Sequence, residues 1–136
     1  MKYDLGINIK ALVFGTAIAA AFILFGFQYN EWLYAFSAIG LIYVGYGQDN
    51  IKAGTLMGAL SSTVIVVLAL EGYMGTFNGF FATETGIITI TIAIILVGAV
   101  VGFVGAWTKR SRENAKIEYE KQQKIGKNKK KKKDKK

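Results

Sequence analysis

The chain has 136 residues, 52% of them hydrophobic, a formal net charge of +8, and no Pro, Cys or His. That length holds one domain, and the missing residue types exclude disulfides, thiol chemistry, the usual zinc sites and histidine acid–base catalysis. The charge is uneven: residues 109–136 carry fourteen Lys and Arg against four acids, and everything before them carries three Lys against five acids.

The sequence therefore reads as a near-neutral apolar body with a cationic tail. The first apolar run covers residues 11–27, after a short polar start. Lys2 and Lys10 precede it, and Ala17-Ile18-Ala19 has the small-residue form of a signal-peptide cleavage site. Cleavage there would cut the run in half, because Phe22-Ile23-Leu24-Phe25 continues it, so a membrane span is the expectation. Gln28-Tyr29-Asn30-Glu31 makes a turn, and the second span is 32–47. As an α-helix it would cover about 24 Å of a hydrocarbon core of about 30 Å, so its ends borrow Glu31 and Gln48 or the bilayer thins. The third span is 53–70 and the fourth is 86–107. Ile88-Thr89-Ile90-Thr91-Ile92 alternates as a strand would, but a lone strand in lipid leaves its backbone unpaired, so a helix is expected.

The predicted fold is an all-α membrane protein: a bundle of four transmembrane helices over residues 1–108, followed by a Lys-rich tail over 109–136 that becomes disordered after Gly126. Four spans put both ends and the 48–52 turn on one side. That side then holds every Lys and Arg in the chain, while the opposite loops hold Glu31, Glu71 and Glu84. The positive-inside rule makes that side cytoplasmic, which predicts a multi-pass protein of the cell membrane with both termini in the cytoplasm. Tyr29, Trp32, Tyr34 and Tyr73 fall near one predicted interface and Tyr43, Tyr46 and Trp107 near the other, as aromatic belts require.

Residues 40–62, GLIYVGYGQDNIKAGTLMGALSS, form two glycine-studded arms about a polar turn. Gly54, Gly58 and Ser62 recur every four residues, as do Gly98, Gly102 and Ala106; Gly15 and Ala19 repeat the spacing in the first span. Such stripes let helix backbones approach closely in lipid. They serve either packing within one bundle or the interface of a homo-oligomer, a pore lining included. The 71–85 loop, EGYMGTFNGFFATET, is long. Met74, Phe77 and Phe81, with Phe80 beside them, suit a short interfacial helix, but Gly72, Gly75 and Gly79 oppose one. The expectation is a loop dipping its aromatics among headgroups, with a re-entrant segment as the alternative. No carboxylate falls deep in a span, which argues against a cation-coupled transporter.

The tail reads as a charged helix up to Lys124, then KNKKKKKDKK. Lys129, Lys130, Lys131, Lys132 and Lys133 are expected to meet anionic inner-leaflet lipid. RNA or the ribosome would use the same charge, although no aromatic is interleaved with the lysine run for base stacking.

The run YVGYGQDNIKAGTLMGALSS resembles a family of small membrane proteins of unknown function from methanogenic archaea, in Lys52-Ala53-Gly54 and Gly58-Ala59-Leu60; Gln48-Asp49-Asn50 departs from that pattern. The resemblance implies a four-helix membrane fold and brings no site residues or cofactor. With no phosphate loop and no nucleophile–base set, the expectation is a non-enzymatic protein without cofactors, self-associating or supporting a membrane complex through its glycine stripes. A pore-forming protein similar to phage holins is the alternative.

Overall fold

The computed structural model describes residues 6–76 and 78–133, with side chains as far as Lys124 apart from Phe80. Lys2, Phe77 and residues 134–136 lie outside the described residues. Four α-helices follow one another: α1 (Ile9–Gln28), α2 (Ser37–Tyr46), α3 (Ile51–Leu70) and α4 (Glu84–Lys133). A 3-10 helix, Glu31–Phe36, leads into α2, and a second, Gly79–Ala82, precedes α4. Three of the four, α1, α3 and the first part of α4, are long and apolar enough to cross a membrane.

The three long helices and the 3-10 lead into α2 each begin at a short polar side chain, whereas α2 itself starts at Phe36 without one. Asn8 accepts from Ala11 N (3.2 Å), Asn30 from Trp32 N (3.0 Å) and Asn50 from Ala53 N (2.7 Å). Thr83 Oγ1 accepts from Gly86 N (3.1 Å), with Glu84 in the first turn of α4. These side chains satisfy amide groups that a helix start otherwise leaves without partners.

The second segment differs from the uniform helix expected over 32–47. Its first six residues are 3-10 helix and only the next ten are α-helix. The tighter helix rises about 2.0 Å per residue against about 1.5 Å, so the sixteen residues reach about 27 Å. The longer rise recovers part of the shortfall that the sequence predicts for an α-helix. The fourth segment differs in the other direction. It starts at Glu84 and continues past Trp107 without a break, through the stretch for which the sequence predicts a disordered end; the side chains of Lys129–Lys133 are outside the described residues. Fifty residues make this helix about 75 Å long.

Close contacts fix the order of packing. Ala11 meets Gly47, Gly15 meets Val44 and Gly40, and Gly26 meets Tyr34, so α1 and the second segment are antiparallel along their whole length. Gly54 meets Ala106 and Gly98 meets Ser62, so α3 and α4 are antiparallel as well. α3 is the central helix: half of its apolar window is buried, against 28% for α1 and 11% for that of α4. Its buried positions, Ala53, Gly54, Met57, Gly58, Ser61, Ser62, Ile65, Val66 and Ala69, run in adjacent pairs every four residues. Such a double stripe serves two neighbours at once.

The 71–85 loop is not an interfacial helix. Gly72 and Gly75 take φ of +91° and +95° and Gly79 takes +63°, conformations open to glycine and costly for a continuous helix. Met74 turns back onto the core formed by Ala19, Ile23, Leu41 and Ile65.

Gly102 sits where the packing is tightest. A methyl carbon there would lie 2.8 Å from Gly58 Cα, and one on Gly45 would lie 2.8 Å from Gly102 Cα. Gly102→Ala is therefore expected to destabilise the protein by about 1–3 kcal/mol through overpacking. Val100→Leu, on an exposed face of the same helix, should leave the midpoint of thermal unfolding in mild detergent unchanged. Equal midpoints for the two variants would show that the contact is not tight.

Candidate functional site

The small residues singled out in the sequence gather at one junction. Gly54, Gly58 and Ser62 of α3 face Gly98, Gly102 and Ala106 of α4 within the same chain. A methyl carbon on Gly98 would meet Gly58 O at 2.7 Å, and one on Gly54 would meet Gly102 O at 3.0 Å. Gly15 is not part of this junction; it lies against α2, where a methyl carbon would come within 2.6 Å of Gly40 O. α2 joins the junction from the other side through Gly45, and Gly105 of α4 sits against Tyr46 N and Ile42 O. Sequence reasoning missed Gly45 and Gly105. The available signal was the pair Gly105-Ala106, which gives α4 two small faces rather than one.

Polar side chains between helices are paired. Thr16 Oγ1 and Ser61 Oγ are 2.7 Å apart and join α1 to α3. Ser62 Oγ donates to Ala59 O one turn back (2.7 Å). At one end of the bundle Tyr34 OH donates to Tyr73 O (2.9 Å), and Phe27 meets Tyr73 edge to face at 5.4 Å. These contacts tie the 71–76 turn to α1 and to the 3-10 segment.

The other end is held by Gln48, which is 1% exposed. Its Oε1 accepts from Asn8 N (2.7 Å), and its Nε2 donates to Val44 O (2.9 Å) and Asn8 O (3.3 Å). Gln48 N donates to Gly45 O, and Gly47 N donates to Tyr43 O. The Lys109 ammonium donates to Gln48 O (2.9 Å) and to Asp49 Oδ1 (3.2 Å). The carbonyls at the end of α2 are thus supplied with donors from its own turn, and the Gln48 carbonyl with one from α4, the arrangement a buried helix terminus needs. The Gln48 side chain connects the start of α1 with the end of α2, and its backbone carbonyl adds α4. The sequence placed Gln48 only in a turn, because its partners are 40 and 61 residues away.

Glu31, Glu71 and Glu84 are exposed, at the edges of the helices, and Asp49 is exposed beside Lys109. Among the described residues no three of His, Cys, Asp or Glu come together as a metal site would need. No family model, curated protein or solved structure matches the chain.

Replacing Gln48 with Leu keeps the volume and strands the Asn8 amide and the Val44 carbonyl. A loss of about 1–3 kcal/mol is expected from those unmet groups. Hydrogen exchange should accelerate over residues 8–12 and 44–48 while the α3–α4 core stays protected. Unchanged exchange over 8–12 would mean that Gln48 does not hold the N-terminal segment.

Proposed function

We propose that this protein is a non-enzymatic, four-span membrane anchor that supports a membrane complex, of its own copies or of other subunits. The observation that carries this reading is α4, in which an apolar segment and a charged rod, exposed from Arg110 to Lys124, form one helix. Every residue from Arg110 to Lys124 is exposed, and the helix leaves the bundle just past the Lys109 contact. From Lys109 to Lys133 the rod measures about 37 Å. A rigid arm joined to a bundle holds a partner at a set distance from the bilayer. The glycine stripes support the reading differently from the sequence expectation. They pack against each other inside one chain, so association uses other surfaces.

In this reading the 3-10 and α2 segment is the second crossing, both termini are cytoplasmic, and the protein belongs to the cell membrane. The antiparallel course of that segment along α1 and the distribution of cations support it. On a straight arm Lys129–Lys133 stand about 30 Å beyond Lys109, which favours RNA or the ribosome as their partner over the inner-leaflet lipid that the sequence suggests. The likeness to small methanogen membrane proteins agrees with four spans and assigns no activity. A pore is the second reading, and the closed α3–α4 junction weighs against it.

The chain has no Cys, so single cysteines report topology cleanly. Asn30→Cys and Asn78→Cys should react with an impermeant thiol reagent from outside, and Lys52→Cys and Asn128→Cys should not. Labelling of positions 30 and 52 from the same side would remove the second crossing.

Ile117 and Tyr119 are apolar side chains left exposed on the rod. A photo-reactive residue at either position should give discrete protein adducts in native membranes. Adducts with lipid alone, together with single-channel conductance in liposomes, would replace the anchor with the pore.

A further inference from the structure

Immediately beyond the Gln48 contacts, α4 and the end of α2 form the two walls of a groove. Tyr46, Lys109, Arg112, Glu113, Ala115 and Lys116 line a volume of about 670 Å³. Lys109, Arg112, Glu113 and Lys116 follow three- and four-residue spacing, which places them on one face of the helix. Lys109 is already engaged by the Gln48 carbonyl and the Asp49 carboxylate. Among the described residues Arg112 and Lys116 form no ion pair, although Glu113 shares their face. Two cations without an ion-pair partner, one of them a planar fork, in a groove that a tyrosine also lines make a donor set suited to a phosphate group.

The level of the groove selects the source of that phosphate. Trp107 is a residue type that settles at the membrane boundary. Arg112 lies about 8 Å and Lys116 about 14 Å further along the helix. One headgroup layer is about 5–8 Å deep. Arg112 therefore falls at the outer edge of the headgroup layer and Lys116 about 6 Å further out, on a long side chain that leans back along the helix, while Val104, exposed about two turns nearer the core, offers apolar surface to acyl chains. We propose that this groove is a binding site for the phosphate of an anionic membrane lipid. Arg112 grips the phosphate through two N–H groups, Lys116 supplies the second charge, and Tyr46 donates from the facing wall. The proposal requires only that α4 crosses the membrane; it is independent of the anchor reading and of the terminal lysines.

The test uses the full-length protein in mild detergent, titrated with a short-chain phosphatidylglycerol, with bound lipid counted by native mass spectrometry. The unsubstituted protein and K130Q/K131Q should retain one tightly held lipid. R112Q/K116Q should bind it about tenfold more weakly, as expected for losing charge-assisted contacts. R112K, which keeps the charge and loses the fork, should fall between them. The circular dichroism and thermal midpoint of each variant should match the parent, since both side chains are exposed. Unchanged affinity in R112Q/K116Q would overturn the site, as would loss confined to K130Q/K131Q. Displacement of the lipid by an equal concentration of glycerol phosphate would identify a soluble phosphate ester as the ligand and overturn the lipid assignment. Tighter, R112Q/K116Q-sensitive binding of a short single-stranded RNA would overturn it too.

Discussion

The structure depends on the approach of three backbones at Gly102. Gly58 of α3 stands on one side of it and Gly45 of α2 on the other, each close enough that a single added methyl would collide. Among lipid tails apolar side chains gain nothing by choosing one another, so helices associate through close contact and interhelical hydrogen bonds. Glycine gives the closest contact available, and each atom pair adds its small dispersion term. A ten-residue helix such as α2 has little surface of its own. It holds its place because α1 grips it at Gly40 and α4 at Gly45 and Gly105.

Close packing along the middle leaves the ends to be secured by polar chemistry, and the two ends differ. Tyr34 and Tyr73 join aromatic surface to a turn through one hydroxyl and one edge-to-face ring contact. Gln48 uses both atoms of its amide and its own carbonyl to gather three helices. The second arrangement sets the direction in which α4 leaves the bundle, because Lys109 is fixed there at the last turn before the exposed rod. The proposed anchor, with its stiff arm, needs such a fixed point, and the groove lined by Arg112 and Lys116 lies directly beyond it. Bundle, fixed point, groove and arm are successive parts of a single helix and what packs against it.

Much of this was legible in the sequence. Apolar runs gave the three long helices and the charge asymmetry separated body from tail; the runs alone start each helix two residues late, because the caps Asn8, Asn50 and Thr83 admit a polar or charged first turn. The four-residue recurrence of Gly54, Gly58 and Ser62 and of Gly98, Gly102 and Ala106 identified faces that bring helices close. These features are local: hydrophobic periodicity, a cap and a net charge are carried by neighbouring residues and need no knowledge of what lies opposite.

Tertiary structure decided what lies opposite. A stripe of small residues is equally suited to a helix of its own chain or to another copy, and only the fold turned the two stripes on each other. Gly15 went to α2, Gly102 became shared by two helices, and Gly105 acquired a role that the four-residue pattern did not contain. The 3-10 start of the second segment and the positive φ of Gly72 and Gly75 answer to the distances the chain had to bridge between packed helices. Gln48 is the clearest case. An amide in a polar turn carries no local mark of burial, and its partners at Asn8 and Lys109 became neighbours only when α1, α2 and α4 packed together.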